Sequence, residues 1–155
     1  YMKIVLLISI VLSLFACSNI NSVAKNPPLV NLVVQQDKYS LILKHQFYSN
    51  LKTYDKNLAK FIVETNLSFN TIDALSNNGN NKLNIIEGTV DFKIFNKLNS
   101  KIIKTGSISS SINTGSVTSL YSVDENNNFA KERLARYLAS KLYRKILLNT
   151  YTSEN

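Results

Sequence analysis

Phe61, Val63, Leu67 and Phe69 alternate with Glu64, Asn66, Ser68 and Asn70. That two-residue period predicts a strand over 61–72 with one buried face and one wet face. The same period returns where Ile86, Val90, Phe92 and Ile94 alternate with Glu87, Thr89, Asp91 and Lys93, and a further strand is expected from Ile102 to Ile112. Asn96 to Lys101 separates these two runs, so they read as a hairpin. Leu29-Val30-Asn31-Leu32-Val33-Val34 is short, β-branched and almost wholly apolar, and reads as a strand buried on both faces.

Elsewhere the period lengthens. Leu43, Phe47 and Leu51 recur every fourth residue behind Asp37, which predicts a helix from Lys38 to about Lys52 with Asp37 as its N-cap and with Lys44 and His45 largely on the far side. Near the C-terminus Leu134, Ala135, Leu138, Ala139, Leu142 and Ile146 form an apolar stripe, and Lys131, Arg133, Arg136, Lys141, Arg144 and Lys145 face water. A helix from Phe129 to Leu148 would be about 30 Å long. Its start is expected between Ser122, which stands with Glu125 in capping-box order, and Asn128, because Asn126 to Asn128 are poor helix formers. Ser76 to Asn81, reading Ser-Asn-Asn-Gly-Asn-Asn, is a loop on composition. The order β-α-β-β-β-α predicts an α+β fold, with two helices packed on one face of a four-stranded mixed or antiparallel sheet.

Two segments of different character precede this domain. After Met2-Lys3, residues Ile4 to Phe15 are apolar except Ser9 and Ser13, a run shorter than the roughly 20 residues of a bilayer span. A basic start, an apolar centre and the small Ala16 are the features of a secretory signal. The sole cysteine, Cys17, follows at once. Leu14-Phe15-Ala16-Cys17 resembles the lipobox of bacterial lipoproteins, which implies that Cys17 is acylated and becomes the mature N-terminus. Ser18 after the cysteine then implies transfer to the outer membrane. The expected division is a signal peptide at 1–16, a lipidated tether at 17–28 closed by Pro27-Pro28, one domain at 29–150, and a tail at 151–155.

Composition adds a sign. Lys and Arg number 18 against 10 Asp and Glu, a formal charge of +8 that falls by one, to +7, when Lys3 leaves with the signal. Export removes nucleic acid as a partner, and acylation of Cys17 removes disulfide and thiolate chemistry. The 155 residues suffice for a core without either. Phosphate-bearing lipid or glycolipid is the acidic partner that remains.

The mature chain is similar to lipopolysaccharide-assembly lipoproteins of the LptE family, particularly an alphaproteobacterial-like branch. The resemblance runs through Gly88-Thr89-Val90-Asp91-Phe92-Lys93-Ile94-Phe95, Lys104-Thr105-Gly106-Ser107, Tyr121-Ser122-Val123-Asp124-Glu125 and the basic, Ala-containing stretch from Ala130 to Leu142. It implies an outer-membrane lipoprotein that plugs a β-barrel lipopolysaccharide translocon, an LptD-like partner, and assists its assembly. It leaves open whether lipopolysaccharide touches this chain directly. It also implies that Lys82, the basic residue after the polar loop, is a lipopolysaccharide contact, although a solvated loop lysine is the simpler account of it.

Lys93, Lys97, Lys101 and Lys104 bracket the hairpin with no acidic residue between Phe92 and Lys104. Such a row suits an anionic ligand, and it equally suits edge lysines that discourage strand-to-strand association. His45 is alone, so no metal site is expected, and no cofactor. Glu87 and Asp91 lack the apolar walls that would make an acid/base pair, and no Gly-x-Ser-x-Gly elbow or phosphate-cradling loop occurs. The expectation is a non-enzyme. A lipoprotein that scaffolds or regulates a cell-envelope enzyme is the competing reading, and a carrier of a soluble ligand a third.

Overall fold

The first strand, β1 (Val30–Val33), pairs in parallel with β2 (Phe61–Leu75). Between them runs helix α1 (Lys38–Ser49), the crossover that a parallel pair requires. β2 then pairs antiparallel with β3 (Lys82–Asn96), and β3 with β4 (Ile102–Asn113), before the chain closes in helix α2 (Leu120–Ser153). This computed structural model describes residues 29–51, 57–75, 82–114 and 120–153; the leader, the tether and the loop at 76–81 lie outside them. The sheet is mixed, in the order β1-β2-β3-β4, and the α+β arrangement is the one the residue pattern predicts.

Register follows the apolar period. Leu32 stands opposite Val63 and Val63 opposite Ile94, while Val90 lies between Leu67 and Ile108. A slip of one residue would turn each of these rows to water. Val63, Val90 and Ile94 are buried under Leu138, Ala139, Leu142 and Ile146 of α2 and Leu43 and Phe47 of α1. Phe47 packs edge-on against Tyr48 and Tyr143, with ring centroids 5.7 and 5.8 Å away. Gly88 faces α2 so closely that a Cβ there would stand 2.9 Å from Leu138 Cδ1. Among the described residues, both helices lie on this one face.

That one-sidedness corrects the reading of β1 as buried on both faces. Val30 and Leu32 are buried, but Asn31 is half-buried and Val33 is 43% exposed, because β1 is an edge strand whose second face no element among the described residues covers. A continuous apolar run resembles a doubly covered strand in sequence, and only the layer count separates the two cases.

Asp37 caps α1 as expected. Its backbone is extended (φ −120°, ψ 163°), and Oδ1 accepts from the amides of Tyr39 and Ser40 at 3.0 Å each. The helix ends at Ser49, short of Lys52, with the Asn50 amide donating to the Phe47 carbonyl at 3.2 Å and the Leu51 amide to the Tyr48 carbonyl at 3.0 Å.

Helix α2 departs further from expectation. It starts at Leu120 and runs to Ser153, about 50 Å, so Ser122 and Glu125 sit inside it rather than forming a capping box. The three asparagines cost only a few tenths of a kcal/mol each relative to better helix formers. Tertiary contacts outweigh that: Tyr39 Oη donates to Asn128 Oδ1 at 2.9 Å, and Ala130 packs with Ile86 and Leu134.

Candidate functional site

The outward face of the sheet is built from the polar half of each strand. Glu64 stands opposite Lys93 and Lys93 opposite Thr105; Asn66, Asp91 and Ser107 form the next row; Ser68, Thr89 and Ser109 the one after. Small hydroxyl and amide groups dominate, and a shallow depression of about 580 Å³ lies between Glu64, Asp91, Lys93 and Ser107. No element among the described residues covers this face.

The five lysines singled out in the sequence fall in separate places. Lys82 opens β3, register-paired with Leu75, and its side chain lies outside the described residues. Lys97 sits just past the opposite end of β3, about 50 Å away along the strand. Lys93 is exposed on the outward face, with Glu64 as its cross-strand neighbour and Asp91 two residues before it, so carboxylates accompany it. Asp91 was visible in the sequence just outside the acid-free stretch, whereas Glu64 is brought in by a different strand. Lys104 is exposed at the irregularity where the β3–β4 register shifts between Ile94 and Phe95. Lys97 and Lys101 are together, at the hairpin turn.

That turn is held by side chains as well as backbone. Asn96 donates its amide to the Lys101 carbonyl at 3.0 Å and receives the Ser100 amide on its own carbonyl at 2.9 Å. The side-chain oxygen of Asn96 accepts from Leu98 N at 2.9 Å, and that of Asn99 from Lys101 N at 3.1 Å. Ser100 takes the left-handed conformation, φ 53°. The effect is to set Leu98 at the apex, 94% exposed, between Lys97 and Lys101. Leu98 escaped the sequence reading, although one apolar residue inside Asn-Lys-Leu-Asn-Ser-Lys was the available signal.

The start of the domain meets the turn. The carbonyl of Leu29 accepts from the amides of Lys60 (2.8 Å) and Phe61 (3.3 Å), and the Lys60 carbonyl accepts from Lys97 N at 2.9 Å. Lys97 Nζ also donates to the Asn57 carbonyl at 3.3 Å. An open depression of about 720 Å³ lies here, lined by Asn57, Lys60, Lys97, Leu98 and Ile103 among others. Leu29, where the described residues begin, therefore lies beside the hairpin turn.

Charge on the helices is of another kind. Glu132 on α2 pairs with Lys38 on α1 at 3.0 Å and with Arg136 at 3.4 Å. The hydrogen bond between them raises the pKa of Lys38 and lowers that of Glu132. Asp37 is also held below the ordinary carboxylate range: slight burial raises its pKa, but donors at Ser40 and Tyr39 outweigh that. Arg133 and Arg144 lie exposed on α2, and His45 is exposed on α1. No group of three or more His, Cys, Asp or Glu side chains gathers among the described residues, and no described helix is long and apolar enough to cross a membrane.

Solved structures share this architecture. A candidate lipoprotein from Caulobacter crescentus superimposes with a TM-score of 0.60 at 16% identity, over 81% of this chain and 90% of that one. A minor lipoprotein from Acinetobacter baumannii gives 0.57 at 16% identity, over 80% and 95%. Rare lipoprotein B from Shewanella oneidensis gives 0.54 at 13% identity, over 82% and 99%. The fold is one that bacterial lipoproteins use. No family model matches the sequence, nor does any curated protein.

Proposed function

We propose that the chain is an outer-membrane lipoprotein, anchored through acylated Cys17, that plugs and helps to assemble the β-barrel lipopolysaccharide translocon. The observation that carries this reading is the coincidence of a lipobox-like Leu14-Phe15-Ala16-Cys17 with a domain whose fold matches bacterial lipoproteins over most of their length. The LptE-like pattern from Gly88 to Ser107 and from Tyr121 to Leu142 supplies the particular partner, an LptD-like barrel. A sheet with helices on one side and small hydroxyl and amide groups on the other supports the role, because such a face can lie against the polar interior of a barrel. The role needs no catalytic group and no cofactor, and the protein is read as a non-enzyme.

Lipopolysaccharide is the proposed ligand of the cationic residues, with Lys97 and Lys101 at the turn better placed as a pair than Lys93, which carboxylates accompany. Lys104 stands nearby on β4, and Lys82 would act separately at the far end. Depleting the protein in cells tests the reading. The barrel is expected to lose its heat-resistant, folded migration, whereas a normally folded barrel would contradict it.

A further inference from the structure

The hairpin end combines three features that need one explanation. Leu98 at the turn apex, Leu58 (61% exposed) and Ile102 (52% exposed) present large aliphatic side chains to solvent. Ile102 continues an apolar row across the outward face, since it stands opposite Phe95 and Phe95 opposite Ile62. Lys97 and Lys101 flank the apex, and no Asp or Glu occurs in the sequence from Phe92 to Val123. The domain's first residue, Leu29, is hydrogen-bonded to Lys60 and Phe61 at this same end.

We propose that this tip is a membrane-docking surface that seats on the anionic bilayer holding the lipid anchor, with Leu98 entering the headgroup region and Lys97 and Lys101 engaging lipid phosphates. The proposal rests on acylation of Cys17. Residues 17–28 span at most about 40 Å, whatever their path, and they join the domain at the tip rather than at the far end of the sheet. The anchor thus delivers this end to the membrane. Exposed leucine costs free energy in water and gains it in the interface, while each lysine near an anionic surface tightens binding about fivefold. A soluble protein partner would also cover leucines, but the anchor's point of attachment and the one-signed charge favour a lipid surface.

The test uses the full chain carrying Leu98→Cys, acylated in cells, extracted in detergent and labelled with a fluorophore at what is then its single free thiol. It is reconstituted into vesicles of phosphatidylethanolamine with phosphatidylglycerol. The control is Asn70→Cys, exposed on the same face about 30 Å further along β2. Quenchers attached to lipid chains should reach the label at 98 several-fold more than the label at 70. Changing Lys97 and Lys101 to Gln should erode that difference, and salt should do the same. Equal quenching at the two sites, or shielding by lipopolysaccharide micelles but not by these vesicles, would overturn the proposal. If the unmutated protein labels at position 17, acylation has failed and so has the lipoprotein reading. In that event salt-sensitive flotation of the unacylated chain on the same vesicles, lost with Leu98→Asp, would still support the tip, and no flotation would overturn it.

Discussion

Two glycines are fixed by what stands over them. A methyl at Gly88 would press on Leu138, a fully buried residue on the sheet-facing side of α2, and would come 3.1 Å from the Phe69 ring. Gly88→Ala is therefore expected to cost about 1–3 kcal/mol, read as a lower midpoint in urea with an unchanged slope. At Gly106 the Phe92 ring takes the place of a side chain, 2.7 Å from where a Cβ would sit, so Gly106→Ala should displace that ring and destabilise similarly. Ser100 is the reverse case. Its φ of 53° favours glycine, and Ser100→Gly should raise stability by up to about 1 kcal/mol without moving the turn. Asp37 carries a pH signature. Its carboxyl is held below its unfolded value, so its contribution is present above the ordinary carboxylate range and is lost as pH falls through the folded value. Asp37→Ala should cost about 1 kcal/mol at neutral pH, and thermal melts should show the gap from wild type closing on acidification.

At the scale of elements, the strands were the most legible part. Their period, set by one helix-covered face and one open face, fixed β2 to within its last residues and placed the hairpin around Asn96 to Lys101. What sequence could not convey was the number of layers, so β1 looked doubly buried. It also could not weigh a poor helix-forming stretch against packing, so α2 looked shorter than its run from Leu120 to Ser153. The candidate site was half legible. The lysines were visible, but their grouping depended on strand pairing: Glu64 reaches Lys93 only through the β2–β3 register, and the apolar apex at Leu98 gains meaning only beside the start of β1. Leu138→Ala, in the middle of the α2 stripe, should cost about 2–5 kcal/mol, more than any change to the exposed arginines on the same helix.

For the whole molecule, the two ends of the sheet differ in role. One end holds Leu29 and carries Leu98, Lys97 and Lys101; the other carries Lys82, at the start of β3. An anchored wedge of this kind would hold its hairpin at the inner leaflet and direct its far end along the barrel. If phosphate attraction contributes to lipopolysaccharide binding, affinity should fall with added salt, and Lys82→Ala should weaken it, as read in a binding titration over a range of ionic strengths.

The central claim is the identity of the partner, and purification of the acylated chain from its own membranes in mild detergent tests it most directly. The account predicts a stoichiometric complex with one large-lumen outer-membrane β-barrel. Recovery with a soluble cell-envelope enzyme in place of a barrel, or recovery of the acylated chain alone at every detergent concentration, would contradict it.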